Sequence, residues 1–344
     1  MLGFGTTVAA GEAGATRSQF APYDVSKKGG GEKAAVPDLE NAPEGEYLTD
    51  RLTEETIKFI QTNKSGPFFA VLAHYAVHTP IEAKKHITKR YQDKIDGQAV
   101  PAALYEEESA GENLLVQNNA TYASMVESVD KGIGRILRLL DRLEIADNTI
   151  VVIASDHGGL SARGSNREVA TSNRPFRAGK GHLYEGGLRI PLIVRWPGHT
   201  KADSKIETPV ITTDLFPTFL EMAGLPLLPE AHKDGISFAP LLKGEKLKGS
   251  NQRLFLWHNP APRPSSTADL FSSAARQGNY KLVEFPTENR VELYDLSKDI
   301  RESNNLAEEQ KEEADRLLSA LNEWKDSIGL PNQPRMRKKE QKRK

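Results

Sequence analysis

Cysteine is absent from all 344 residues. That absence excludes disulfides, thiolate nucleophiles and thiolate metal sites, so any metal has to be held by oxygen and nitrogen. It decides nothing about compartment, because large secreted domains fold without disulfides. Excess charge of one sign is missing too. The 46 Lys and Arg residues against 47 Asp and Glu leave a formal net charge of -1, so no global field favours nucleic acid or an anionic membrane. No apolar run reaches the length of a membrane span. The start, Met1-Leu-Gly-Phe-Gly5, lacks the basic residues and apolar stretch of a signal peptide.

What is present is a chain long enough for one large domain or two unequal ones. Residues 1 to about 46 are rich in Gly, Ala, Lys and Pro and show no helical or strand period. Thr49 can then cap a helix with Leu52, Thr56, Phe59 and Ile60 on one face, ended by Asn63-Lys-Ser-Gly66. Pro67-Phe-Phe-Ala-Val-Leu-Ala73 reads as a buried strand, and a polar stretch follows to about residue 116. The clearest helix runs from about Asn118 to Ile145, with Tyr122, Met125, Val126, Val129, Ile133, Ile136, Leu137 and Leu140 at three- and four-residue spacing. Apolar strands are expected at Thr149–Ala154 and Ile190–Trp196, and a short helix capped by Asp214 through about Met222. Strands that are apolar on both faces and alternate with helices predict an α/β fold, a mostly parallel sheet sandwiched by helices.

Beyond about residue 245 the pattern changes to short strands over Arg253–Trp257, Ala274–Val283 and Val291–Leu296, then a helix from about Glu308 to Trp324. The expected division is an α/β domain over 1–245, a small antiparallel subdomain over 246–330 and a disordered basic tail over 331–344.

Chemistry-bearing residues fall at three places near strand ends. His74 and His78 follow the strand ending near Ala73, Asp156 and His157 follow the strand ending near Ser155, and Lys180 lies in Gly179-Lys-Gly181 before the next strand. If the sheet is parallel, all three gather at one edge, where ligands bind in open α/β sheets. A carboxylate beside an imidazole can hold a divalent cation. A lysine between glycines can approach an anion closely, and a histidine can give a proton to a leaving group. Each also has an ordinary reading: Asp-His-Gly as a turn, His-Thr-Pro as a packed loop, and Gly-Lys-Gly without the spacing of a phosphate-cradling loop. Their value lies in coincidence.

Ser155-Asp-His-Gly158, Gly179-Lys-Gly181, Tyr184-Glu-Gly-Gly187 and Pro191-Leu-Ile-Val-Arg-Trp-Pro-Gly198 together resemble the sulfatase family of the alkaline phosphatase superfamily. The likeness extends to His74-Tyr-Ala-Val-His-Thr-Pro80, Thr213-Asp-Leu-Phe-Pro-Thr218, Arg276-Gln-Gly-Asn-Tyr-Lys-Leu282, Glu292-Leu-Tyr-Asp-Leu-Ser297 and Asn305-Leu-Ala307, so it spans about residues 45–307. The resemblance implies a sulfuric ester hydrolase acting on sulfated carbohydrate or aryl sulfate, arylsulfatase-like or N-acetylgalactosamine-6-sulfatase-like. It implies Asp156 as a ligand of Ca2+ (or Mg2+), with His157 in the neighbouring ligand place. Lys180 would contact a sulfate oxygen and the bridging oxygen, and His78 would help protonate the departing alcohol. His74, His182 and Arg174 either line the pocket or merely pack. Periplasmic or extracellular location is a family expectation.

The departures are equally specific. The family's upstream aspartate pair is missing. So are its upstream Cys-or-Ser-x-Pro-x-Arg motif, whose first residue becomes the formylglycine nucleophile, and the Gly-Lys-x-His segment that follows that motif in the family; Gly179-Lys-Gly-His182 lies well downstream, after Asp156. The expectation is a catalytic domain incomplete at its N-terminus, from a truncated gene model or pseudogene in preference to a split enzyme, that neither folds well nor turns over substrate alone. Two other readings stand beside the sulfatase: a phosphonate or phosphodiester hydrolase of the same superfamily, and a non-catalytic protein that binds sulfated glycans.

Overall fold

The spacing read over residues 118–145 is realised as a long helix. The computed structural model describes residues 5–9, 15–26, 33–99, 102–165 and 167–330; the expected basic tail, 331–344, lies outside them. The chain divides into two units, one of residues 1–101 with 118–149, the other of 102–117 with 150–344.

In the first unit an antiparallel pair, β1 (Asp24–Ser26) and β2 (Lys33–Ala35), precedes three helices: α1 (Leu48–Asn63), α2 (Lys85–Asp96) and α3 (Ala120–Arg142). The Asn119 side chain caps α3 by accepting from the Tyr122 N–H at 2.8 Å. α3 packs against both α1 and α2. Small residues make the approach to α1 close: a Cβ on Gly132 would stand 2.6 Å from Thr53 Oγ1. Met125, Leu139 and Leu140 on α3 are buried, as are Leu48 and Leu52 on α1. Only Ile87 is buried on α2, too thin an apolar signal to reveal that helix in the sequence.

The expected strand over Pro67–Ala73 does not form a ladder; the segment carries no strand assignment, and Phe69 and Val71 are 60% and 62% exposed. Apolar, β-prone composition describes residues that suit a half-buried pleat, but a strand needs a hydrogen-bonded neighbour, which composition does not supply.

The second unit holds a three-stranded sheet of β3 (Tyr105–Glu108), β4 (Gly111–Leu114) and β6 (Ala162–Arg163), and a pair made by β5 (Val151–Ala154) and β7 (Leu192–Arg195). A one-turn helix, α4 (Glu185–Leu188), precedes β7. Then come α5 (Leu215–Met222), α6 (Ala239–Leu242), β8 (Leu254–Asn259), α7 (Pro264–Thr267), β9 (Ser272–Gln277), β10 (Tyr280–Phe285), β11 (Arg290–Asp295) and α8 (Lys311–Ser327). β11-β10-β9-β8 form an antiparallel sheet, and Ala314, Leu317 and Leu321 of α8 pack against Ala275, Leu282 and Leu293. This is the expected small sheet with one helix.

Every pairing among the described strands is antiparallel, including β5 with β7, where Ala154 faces Leu192. The parallel direction expected for these two strands is therefore corrected. Apolar residues on both faces report burial, whereas direction is set by the connection. A parallel neighbour needs a crossover of a dozen or more residues, usually helical. Between β5 and β7 the chain sends β6 into another sheet and makes the four-residue α4, with no crossover helix among the described residues. Val152, Leu192 and Val194 pack on Trp196, Met222, Phe238, Leu241 and Leu242. Asp214 precedes α5 without capping it through its side chain. Instead its buried carboxylate accepts from the Ile211 and Ile236 N–H groups and takes both arms of Arg253 at 2.6 and 2.7 Å.

Candidate active site

The antiparallel register decides where the chemistry falls. Asp156 and His157 leave the carboxyl end of β5, and the loop with Lys180 enters the amino end of β7; in an antiparallel pair these two ends are neighbours. Backbone bonds fix the two segments together. Lys180 N donates to Gly159 O at 3.1 Å, and Gly158 N donates to Gly187 O at 3.1 Å. Asn173 completes the clamp: its Oδ1 accepts from Gly159 N, and its Nδ2 donates to Gly159 O and Ala178 O, each at 2.9 Å. A Cβ on Gly158 would lie 1.7 Å from Gly186 O, so only glycine permits this approach.

The Asp156 side chain is 82% exposed and its Oδ2 lies 3.1 Å from His157 Nε2. His157 Nδ1 lies 2.8 Å from Gly158 O. A carbonyl only accepts, so Nδ1 carries the proton. Nε2 then faces a carboxylate oxygen, an approach that a proton on Nε2 or a cation between the two atoms accommodates. Lys180 is half-buried. Burial and the charge of Arg263 push its ammonium below the ordinary lysine range, Asp156 acts in the opposite sense, and Arg167 adds to the lowering.

Behind the loop stands a buried charged network that the sequence reading did not single out. Glu185, of the Tyr-Glu-Gly-Gly segment, meets Lys281 Nζ at 3.0 Å, and Lys281 meets Glu302 at 2.8 Å. Glu302 closes the ring by accepting from the Glu185 N–H at 2.6 Å. Burial raises Glu185, but Lys281 and Arg276 outweigh it and hold its carboxyl below the usual range; at Glu302 burial prevails and the carboxyl is pushed up. Beside this ring, Arg177 takes both oxygens of Glu108 at 2.7 and 3.1 Å and lies over the Tyr184 ring at 3.9 Å. The signal that could have exposed Lys281 is its place in Tyr-Lys-Leu-Val-Glu-Phe, a strand otherwise mostly apolar.

His182 is only 5% exposed, and its Nε2 is 2.8 Å from Thr267 O. It anchors the loop from behind and does not line an accessible surface. Arg174 is exposed and faces Glu106 at 3.5 Å. His74 and His78 belong to the first unit. His78 is exposed, and its Nδ1 is 2.9 Å from Thr79 O, which leaves Nε2 toward solvent. His74 is the opposite case: both ring nitrogens are buried with no hydrogen-bond partner among the described residues, and burial pushes it down to about 4.

Asp156 and His157 can be tested as a cation site. Ligands about 2.4 Å from calcium and separated as these two atoms are would subtend roughly 80°, an ordinary angle for a shell of six to eight ligands. The pair therefore suits two places in such a shell. It does not complete one: among the described residues no group of three or more His, Asp or Glu side chains is placed to hold a metal.

With this geometry in place, the comparisons with known proteins fall into one family. The Sulfatase family model matches residues 3–225, and that of the N-sulphoglucosamine sulphohydrolase C-terminal region matches 178–326. Human steryl-sulfatase is 30% identical over 81% of this chain and 47% of its own length. A sulfatase of Formosa agariphila is 30% identical over 79% and 47%. Mouse N-acetylgalactosamine-6-sulfatase is 32% identical over 58% and 34%. Among solved structures, Ps i-CgsB superposes with a TM-score of 0.64 at 27% identity, covering 83% of this chain and 56% of that one. The chain thus spans about half the length of human steryl-sulfatase and of the Formosa agariphila sulfatase. With these matches and the alkaline phosphatase-like α/β fold of its structural neighbours, the chain belongs to the sulfatase family.

Proposed function

We propose that this chain carries the sulfate-recognition half of a sulfuric ester hydrolase acting on sulfated carbohydrate or aryl sulfate. One observation carries the reading: the Lys180 backbone is bonded to Gly159, which keeps a half-buried ammonium beside the Asp156 turn. A lysine there meets a sulfate oxygen and the bridging oxygen as a point charge in a partly desolvated place, where the attraction is strengthened. Asp156 and His157 give two ligands to a divalent cation, calcium before magnesium.

Hydrolysis of R–O–SO3− breaks the S–O bond, transfers the sulfuryl group to a nucleophile and releases ROH. The proton for the departing alkoxide is assigned to His78, by the likeness of its His-Thr-Pro segment to the family. No residue of this chain is assigned the attack on sulfur, because the 344 residues hold neither cysteine nor Ser-x-Pro-x-Arg to become formylglycine. The family models overlap between residues 178 and 225, which supports a catalytic domain continuing into a C-terminal subdomain. Periplasmic or extracellular placement goes with this reading. No helix of the described residues is long and apolar enough to cross a membrane.

The test is calorimetric titration of the purified chain with galactose 6-sulfate, beside the Lys180→Gln variant. Loss of one charged contact should weaken binding by about tenfold or more. Equal affinity of the two proteins would remove Lys180 from the site. Titration with galactose 6-phosphate in parallel separates sulfate from phosphate recognition.

A further inference from the structure

We propose that Arg167 and Arg263 form, beside Lys180, a second anion subsite that takes another acidic group, sulfate or carboxylate, on the same sulfated ligand. The proposal rests on the sulfate-binding reading of Lys180 and narrows its substrate class to ligands with at least two anionic groups.

Three loops supply the three cations, and they are locked to one another. Arg167 NH1 donates to Ser266 Oγ on α7 at 3.0 Å. The Arg263 N–H, at the start of α7, donates to Asp269 Oδ2 at 3.2 Å. Gly181, next to Lys180, is pressed on the same carboxylate: a Cβ there would lie 2.8 Å from Asp269 Oδ1. Asn259 Nδ2 ties the two by donating to Gly181 O at 3.0 Å and Asp269 Oδ2 at 2.8 Å. On the other side, a Cβ on Gly164 would meet Pro264 O at 1.6 Å, which seats the Arg167 loop on α7. These bonds fix the loops without using the Arg263 guanidinium or the Lys180 ammonium.

The charge bookkeeping singles out these residues. Most other arginines in the same unit face a carboxylate: Arg163 with Glu112, Arg177 with Glu108, Arg189 and Arg276 with Glu185, Arg253 with Asp214. Among the described residues, no carboxylate is paired with Arg167, Lys180 or Arg263. Asp269 is buried and spends its oxygens on Thr267, Asn259 and the Arg263 N–H. All three cations are half-buried, and both arginines are felt at Lys180, where they lower the ammonium against the single opposing charge of Asp156. Like charges held together under partial burial destabilise the unliganded state. An anion entering among them relieves that cost, and a guanidinium fork matches the geometry of sulfate or carboxylate oxygens.

The experiment titrates the full chain with galactose 6-sulfate, galactose 2,6-disulfate, and galactose 6-sulfate joined to glucuronate. The second anion should tighten binding about tenfold or more, the scale of one charge-assisted contact. Whichever of the two ligands gains identifies the group accepted. Arg263→Gln and Arg167→Gln should each shrink the ratio between singly and doubly charged ligands, and Arg263→Lys should restore part of it. Circular dichroism shows whether each variant is folded, and Arg263→Gln is the safer of the two because among the described residues the Arg263 guanidinium holds no other loop in place. Equal affinity for all three ligands, or a ratio unchanged in both glutamine variants, overturns the subsite and leaves the Lys180 reading standing. Failure of galactose 6-sulfate to bind overturns both.

Discussion

His74 and Lys180 show how little residue type decides before surroundings are known. His74 lies in the His-x-x-x-His-Thr-Pro segment that drew attention to a proton donor, yet burial strips both its nitrogens of partners and holds it down to about 4. A folded-state value below the unfolded 6.5 means that acid protonates the unfolded chain first. Stability from this group is therefore complete above about pH 6.5 and is lost as pH falls to about 4, by at most roughly 3 kcal/mol. Urea midpoints of wild type at pH 7 and pH 4.5 should differ by more than those of His74→Phe, which has nothing to titrate. The same pH sensitivity in both would place the acid lability elsewhere. His78, four residues on, keeps its ring in solvent. The sequence set His78 apart from His74 by resemblance alone, and their surroundings give that difference a physical form.

At the scale of elements, the turn after β5 and the turn of α4 act as one piece. Gly158, Gly186 and Gly187 allow backbone to touch backbone, and Gly158 N to Gly187 O is one of the bonds that results. Gly158→Ala puts a methyl group 1.7 Å from Gly186 O, where no side chain can yield. The substitution should cost more than about 3 kcal/mol, among the larger single-residue effects. Thermal unfolding followed by circular dichroism measures this; a melting temperature within two or three degrees of wild type, about 1 kcal/mol for a chain this size, would contradict the packing described. This junction was legible in the sequence as Asp-His-Gly-Gly and Tyr-Glu-Gly-Gly, because glycine runs mark close backbone approach. What was illegible is the ring of Glu185, Lys281 and Glu302 behind it, since residues 96 and 117 positions apart meet only after β10 has formed. The helix α2 escaped for a different reason: one buried residue gives no period to read.

At the scale of the whole chain, near-neutral net charge gives little mutual repulsion to oppose association. Exposed apolar side chains then matter more. Val71 in the first unit and Ile193 in the second are 62% and 59% exposed. Neither appears in a buried core cluster of the described residues. The double variant Val71→Lys, Ile193→Lys should raise the monomer fraction at equal concentration, with a melting temperature within about two degrees of wild type, as expected for exposed positions. Light scattering after size exclusion reads this directly, and unchanged association would show that these side chains do not drive it.

The sequence by itself determined the family, the principal helices and the C-terminal antiparallel sheet, and it pointed to Asp156, His157 and Lys180 as the candidate set. Each is written in local signals: apolar period, glycine placement, and short motifs at strand ends. Only tertiary structure decided that β5 and β7 run in opposite directions, which is why Lys180 arrives beside Asp156. It also buried His182 and the ring nitrogens of His74, and among the described residues it left Pro67–Ala73 outside any ladder and Arg167 and Arg263 without carboxylate partners while neighbouring arginines found them. Strand direction, burial and charge pairing are relations between residues far apart in the chain, and local spacing cannot encode them.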